Sequence, residues 1–271
     1  MNDFHVHTSF CDGKNPPEEM VISAIKLNMK KIGLVYHSYV PFDEEFCIKK
    51  GNEKAFSDEI DRLREKYRGK IEILKGVEKD YFSDTSDDCC DYAIGSVHYI
   101  KIGGEYFSVD ESAEKFESIA KDKFGGDYYA FAEEYFRLVS DVVNKTNADI
   151  IGHFDLISKF NEGGRFFDEN NKRYKKCAYN AIEKLVKYGV PFEINTGAIS
   201  RGYRKTPYPN ADFIRKIESL GGKFILSSDA HSAENLCFGF SGIKINNINE
   251  ITGIITPCLK VFSSLINFRD T

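Results

Sequence analysis

The sequence predicts an α/β fold built around a parallel sheet, and three observations carry the prediction. Apolar runs of β type alternate with polar, helix-forming segments along the chain. Several of those runs are apolar almost throughout, as a strand is when helices cover both faces of its sheet. All six histidines fall within or just past the C-terminal end of a proposed strand, and none falls in a helix. In βα barrels the loops at that end build the site, so residues remote in sequence would converge on one mouth.

The elements follow in order. Residues 3–8 form the first strand, with His5 and His7 on one face because side chains alternate. A helix over 17–28 starts at Pro16-Pro17, where a missing N–H costs nothing. The strand 32–37 ends on His37, a helix covers 53–67, and the strand 71–78 ends on Glu78. The strand 92–98 ends on His98. Residues 101–127 break the alternation and read as an insertion near the ligand-binding face. A helix over 128–144, a strand over 150–154 with His153, and a helix over 170–188 come next. The strand 192–196 carries Asn195 near its end; the helix 211–220 runs into Gly221-Gly222, which stops it. The seventh strand, 224–228, leads into Ser228-Asp229-Ala230-His231. With no repeat, low-complexity tract or linker, residues 1–271 read as one domain, and 246–271 carry no functional signal.

Composition narrows the function. The chain has 271 residues, with 37 Lys+Arg against 42 Asp+Glu and a net charge of −5, which does not favour nucleic acid. Nor is there a long basic stripe interleaved with aromatics to track a nucleic-acid strand. A hydrophobic fraction of 42% suffices for a sizeable core. No apolar run approaches the ~18 residues of a membrane span, so no membrane partner is expected. Met1-Asn2-Asp3 opens neither the basic nor the apolar region of an export signal, and seven cysteines without paired spacing suit reduced thiols. Both point to a cytoplasmic protein. Cys89 and Cys90 are adjacent and cannot easily bridge each other. The oligomeric state is not readable.

Taken singly, the polar residues at the strand ends have ordinary explanations. His5 and His7 suit two ligands of one ion, and equally a chance pair on a wet strand. His37, His98 and His153 each serve more often as hydrogen-bonded core or loop residues than as ligands. Asp229 could cap a helix beside a surface His231, and Glu78 could be a rim carboxylate in a salt bridge. Together the balance reverses, because surface histidines have no reason to avoid every helix, whereas a multinuclear site requires imidazoles and carboxylates at one point. Nitrogen and oxygen donors without thiolate suit Zn, Fe, Mn or Co. Cys11, near the cluster, reads as a neighbour of the ligands or a small buried residue.

The residues Asp3-Phe-His5-Val-His7-Thr-Ser-Phe-Cys11-Asp12-Gly13, Tyr36-His37-Ser38, Gly76-Val-Glu78, Ser96-Val-His98-Tyr99, Gly152-His153-Phe-Asp155-Leu and Ser228-Asp229-Ala-His231 resemble the ordered motifs of the PHP (polymerase and histidinol phosphatase) superfamily. Gly76 to Tyr81, Gly95 to Tyr99, Gly152 to Phe160 and Glu193 to Gly197 resemble its monofunctional histidinol-phosphatase branch more narrowly. The resemblance implies a distorted (β/α)7 barrel, in agreement with seven strands counted independently, and a trinuclear centre of divalent ions. It implies His5, His7, Glu78 and Asp229 at one ion, Glu78 as a bridge with His98 and His153 at a second, and Asp12, His37 and His231 at a third. Cys11-Asp12-Gly13 departs from the Cys-Pro-His-Gly loop of many members of that branch.

Three divalent cations and three carboxylates leave about +3 at the mouth of an acidic protein, so an anionic substrate is expected. The expected reaction is hydrolysis of a small phosphate ester, L-histidinol phosphate, to L-histidinol and phosphate in histidine biosynthesis, by attack of a metal-bridging hydroxide. Glu78 would position that nucleophile, and Asp229 or His231 would handle the leaving-group proton. Arg204, then Lys159, then Arg201 are candidates for phosphate, and Asn195 for orienting a ligand or substrate. Asp80, Asp155 and Tyr99 are candidates for the substrate amine and imidazole. Action on another phosphomonoester or a nucleotide, and metal binding without turnover, are the alternatives.

Overall fold

The computed structural model describes residues 1–86 and 88–243; the signal-free stretch 246–271 lies outside them. In chain order the elements are β1 (Asn2–His7), α1 (Pro17–Lys26), β2 (Lys31–Val35), α2 (Glu53–Lys66), β3 (Glu72–Asp80), β4 (Tyr92–Ser96), β5 (Tyr99–Ile102), β6 (Glu105–Ser108), α3 (Ala113–Phe124), α4 (Tyr128–Val139), α5 (Val142–Thr146), β7 (Ile150–Ile151), α6 (Lys172–Leu185), β8 (Phe192–Asn195), α7 (Gly197–Ser200), α8 (Ala211–Ser219) and β9 (Phe224–Ser227).

Seven strands pair in the order β1-β2-β3-β4-β7-β8-β9, every pair parallel. The segment after β9 returns to β1: the His7 N–H donates to the Ala230 carbonyl at 2.9 Å, and the Ala230 N–H to the His5 carbonyl at 3.2 Å. Asp3 fastens this seam, accepting the Ser228 N–H at 3.1 Å and also the Ser228 hydroxyl. The result is a nearly closed barrel of seven parallel strands with helices around it, the expected distorted (β/α)7 architecture.

The sequence explains the layers. In α2 the apolar residues Phe56, Ile60 and Leu63 recur at i, i+4 and i+7, a stripe that packs on Ile32 and Leu34 of β2 together with Met20 and Ala24 of α1. On the other side Phe131, Phe136, Tyr174 and Phe213 from α4, α6 and α8 meet Phe192 and Phe224. A third cluster draws on β1, β2, β3, β4, β7 and β9 at once: Phe4, Val35, Leu74, Tyr92, Ile94, Ile150 and Ile225. Only the barrel interior lets one cluster touch so many strands. Tyr92 lies in it with its hydroxyl donating to the Phe4 carbonyl at 2.5 Å.

Two elements differ from expectation, and a third stretch gains its detail. The helix proposed over 128–144 breaks between α4 and α5, where the Ser140 hydroxyl turns back on the Arg137 carbonyl. The strand proposed over 150–154 stops at Ile151, because the His153 N–H goes to the Glu193 carboxylate instead of a neighbouring strand. The stretch 101–127 holds most of the antiparallel β5–β6 hairpin and all of α3. The hairpin turns at Gly103-Gly104, both with positive φ, as a two-residue turn of that hand requires.

A Cβ on Gly33 would stand 2.1 Å from the Tyr92 hydroxyl. Gly33→Ala is therefore expected to lower the unfolding free energy by about 1–3 kcal/mol. In urea titrations the loss should shrink by about 0.5 kcal/mol or more in a Tyr92→Phe background. Strictly additive losses would contradict this packing.

Candidate metal centre

The strands deliver their polar ends to one place. Glu78, on β3, is 1% exposed. Its Oε2 lies 3.0 Å from His5 Nε2, 3.2 Å from His7 Nε2 and 3.0 Å from His37 Nδ1. Its Oε1 lies 2.8 Å from His153 Nε2 and 3.2 Å from His98 Nε2, and accepts the Ser96 hydroxyl at 2.7 Å. Asp229 Oδ1 is 3.7 Å from His5 Nε2 and 3.6 Å from His7 Nε2. Asp12 faces His231 Nε2 at 3.1 Å and His37 Nε2 at 3.6 Å. All nine residues expected to bind metal therefore meet. Donor atoms of eight of them form three overlapping groups, His5 with His7 and Asp229, His37 with Glu78 and His98, and His7 with Asp12, His37 and His231, while His153 reaches the centre through Glu78 Oε1. His7 and His37 each belong to two groups, an overlap the sequence did not suggest.

Most rings are anchored on one nitrogen and present the other. His5 Nδ1 is held by Glu193 at 2.6 Å, His7 Nδ1 faces the Cys11 sulfur at 3.4 Å, and His98 Nδ1 lies 3.3 Å from Asp80. His231 Nδ1 is 3.0 Å from the Asp229 carbonyl. Such outer partners fix tautomer and aim. The free nitrogens converge: His5 Nε2 and His7 Nε2 are 3.0 Å apart, each about as close to Glu78 Oε2. Two ring lone pairs and a carboxylate oxygen aimed at one point repel each other unless a cation sits between them, and this donor set fits a divalent ion.

The electrostatics show the same demand for positive charge. Burial works against every charged group here, yet the surrounding histidines hold Glu78 well below the carboxylate range, and Arg201 and the histidines do so for Asp229. Burial likewise opposes a charged His98, but Glu78 and Asp80 carry it up to about 10. His7 is taken the other way, to about 3, by burial and by the neighbouring His231 and His37. Burial pushes the Cys11 thiol up to about 11, so it stays protonated beside His7.

Local backbone serves the cluster. Gly13 is required because a Cβ there would stand 2.5 Å from the Thr8 nitrogen, inside the turn that presents Asp12. Asp229 adopts φ of 49°, a left-handed conformation that costs a non-glycine residue energy and recurs at functional sites.

A cavity of about 350 Å³ opens on the centre, within the range of small-molecule sites. Its lining includes Arg201, Lys159, Asp80, Asp110, Glu111, Phe46, Tyr99 and Tyr203 beside seven of the nine residues. Arg201, the last of the three basic candidates, donates to the Asp229 carbonyl at 2.9 Å and carboxylate at 3.0 Å. Lys159 is held by the Asp110 carbonyl at 2.7 Å and carboxylate at 3.1 Å. Arg204, the first candidate, is elsewhere: it is 7% exposed, outside the cavity lining, and donates to the Ser158 carbonyl and Glu169 at 2.7 and 2.8 Å. Its buried pairing leaves no fork for a phosphate. Asn195 is also outside the lining; it holds Glu193 and caps the Gly197 N–H. Asp155 is fully buried beside Arg204 and accepts the Asn210 N–H, where burial raises it to about 7. Asp80 lines the cavity but spends Oδ2 on the His98 N–H at 3.0 Å. Two residues were missed. Glu193 holds both His5 and the His153 backbone, and an ionisable residue inside the apolar run Phe192-Glu193-Ile194 was its signal. Asp110 had none.

Comparison with known proteins agrees with this geometry. The family model for the PHP domain matches residues 3–197. The probable histidinol-phosphatase of Schizosaccharomyces pombe is 30% identical over 214 residues, spanning 75% of this chain and 67% of that one. HisK from Listeria monocytogenes shares the fold with a TM-score of 0.79 at 20% identity, covering 90% of this chain and all of that one. The histidinol phosphate phosphatase HisK of Lactococcus lactis, solved with Zn, L-histidinol and phosphate, aligns with a TM-score of 0.59 at 22% identity, over 86% of each chain. With residues 3–197 matched and the strand-end donors gathered in a nearly closed barrel, the chain belongs to the PHP domain family.

Proposed function

We propose that this protein is a metal-dependent phosphomonoesterase that hydrolyses L-histidinol phosphate to L-histidinol and phosphate. The observation that carries the reading is the meeting of five imidazoles on the two oxygens of Glu78, beneath a cavity that also exposes Arg201 and Lys159. The name of the S. pombe relative and the ligands of the L. lactis protein support the choice of substrate.

His5, His7, Glu78 and Asp229 would hold one divalent ion, Glu78, His98 and His153 a second, and Asp12, His37 and His231 a third. Bound there, Zn, Fe or Mn would supply Lewis acidity and bring the pKa of a coordinated water from 15.7 towards ~7. The protein's own groups do the rest. Glu78 orients the attacking water from the barrel interior. Asp229, kept ionised by Arg201 and the histidines against burial, or His231 beside it handles the proton that passes to the leaving alkoxide. Arg201, whose two terminal nitrogens hold Asp229, and Lys159, held by Asp110, bring positive charge to the cavity wall, which suits a phosphate. The carboxylates of Asp110 and Glu111 and the rings of Phe46 and Tyr203 line the same cavity and suit the amine and imidazole of the substrate.

Phosphate release from L-histidinol phosphate, p-nitrophenyl phosphate and single-stranded DNA, each with and without Mn or Zn, tests the reading. Metal-dependent release with a preference for the first is expected; none from it in a metal-loaded chain would overturn the proposal. His153→Ala should lower metal affinity and turnover together by ~100-fold or more, beyond the usual loss from outer partners, with the circular dichroism of the fold intact. Full turnover in that variant would reject His153 as a ligand. The two arginines should separate: Arg201→Ala raises KM for phosphate substrates about tenfold, as loss of ~1.4 kcal/mol of binding would. Arg204→Ala, by stranding Glu169 in a largely buried pair, lowers the unfolding free energy by about 3–5 kcal/mol and leaves KM in place. The opposite pattern would show the two assignments reversed.

A further inference from the structure

The carboxylates that line the cavity differ in what already holds them. Asp12, Glu78 and Asp229 belong to the cation cluster. Asp80 accepts the Phe82 N–H at 2.8 Å on one oxygen and the His98 N–H at 3.0 Å on the other. Asp110 takes the Ser108 hydroxyl at 3.3 Å on Oδ1 and the Lys159 ammonium at 3.1 Å on Oδ2. Glu111, the last of them, stands apart. Among the described residues its one ion pair is with Lys115 at 3.8 Å, and the two side chains are 44 and 53% exposed. A surface pair of that length contributes little and yields readily to another cation. The rings of Phe46 and Tyr203 line the same cavity with 42 and 40% of their surfaces open.

A free carboxylate and open aromatic rings in one cavity suit an organic cation, since both attract positive charge. Resting on the histidinol-phosphate reading above, we propose that Glu111 is the specificity-determining residue of this cavity and pairs with the ammonium of the substrate. The phosphate goes to the cation cluster and to the wall charges of Arg201 and Lys159, and the amine goes to Glu111. One small molecule thereby meets charges of both signs within a cavity of about 350 Å³.

The neighbouring Asp110 is not free for that part. A cation arriving there would have to displace Lys159, which the Asp110 carbonyl holds as well, at 2.7 Å. Asp80 is no better placed, because its carboxylate is spent on the backbone that presents His98. An ester with a phosphate but no amine keeps its contacts at the cation cluster and forgoes the one at Glu111. The two kinds of substrate therefore separate in binding rather than in the chemical step.

The test compares kcat/KM of the metal-loaded full chain for L-histidinol phosphate and for p-nitrophenyl phosphate, which has no amine. O-phosphoethanolamine, which has the amine without the imidazole, serves as a competing inhibitor. Glu111→Gln should lower the preference for L-histidinol phosphate about fivefold, chiefly through KM, and weaken inhibition by O-phosphoethanolamine by a similar factor. Glu111→Lys should lower the preference further. Glu114→Gln removes the same charge from an exposed position on α3 outside the cavity lining, and should leave the preference where it was. A parent chain that prefers L-histidinol phosphate, with the preference kept in Glu111→Gln, would overturn this inference and leave the phosphatase reading standing. An equal loss in Glu114→Gln would overturn it too, by assigning the effect to net charge, as would unchanged inhibition by O-phosphoethanolamine in Glu111→Gln. No release from L-histidinol phosphate by the parent chain would instead remove the reading on which the inference rests.

Discussion

A carboxylate buried at the centre of a barrel is costly unless positive charge surrounds it, and Glu78 is such a group, with 1% of its surface exposed and five imidazoles within 3.2 Å of its oxygens. Each oxygen has its own set of rings, His5, His7 and His37 on one and His98 and His153 on the other. That division makes Glu78 suitable as a bridge between two cation positions. It also dictates the rest of the design, because five rings from the strand ends can approach one side chain only if those ends surround it.

Closure of the barrel satisfies that demand. The hydrogen bonds between β1 and the Ala230 segment, with the Asp3 carboxylate on Ser228, set the end of β9 beside the start of the chain, bringing Asp229 to His5 and His7. Below, the apolar cluster around Tyr92 fills the interior. Above, the hairpin and the segment up to Glu111 add the wall that carries Asp110. Glu193 connects the two levels, since one carboxylate aims His5 and receives the His153 backbone, ending β7 after two residues.

How much of this was legible depends on what each residue's direction is tied to. Strand ends were readable, because an apolar run that stops at a histidine fixes both element and exit, and the nine donors came with them. The basic residues after β8 were not. Arg201 and Arg204 are three apart on a short helical turn and its exit, and only the packing of Ser158 and Glu169 sends Arg204 inward while Arg201 turns to Asp229. Asn195 was placed on the right strand, and its amide acts on the site through Glu193, the residue that aims His5, rather than from the cavity wall. Asp110 escaped because its partner, Lys159, is 49 residues away and no local pattern joins them.

The central claim is that the strand-end cluster binds cations and that catalysis depends on them. Elemental analysis of the full chain purified without chelator, paired with turnover of the same sample, addresses it most directly. The account predicts about three divalent ions per chain, with activity falling as they are stripped and returning when they are restored. A chain that released phosphate at full rate with far less than one ion bound would contradict it.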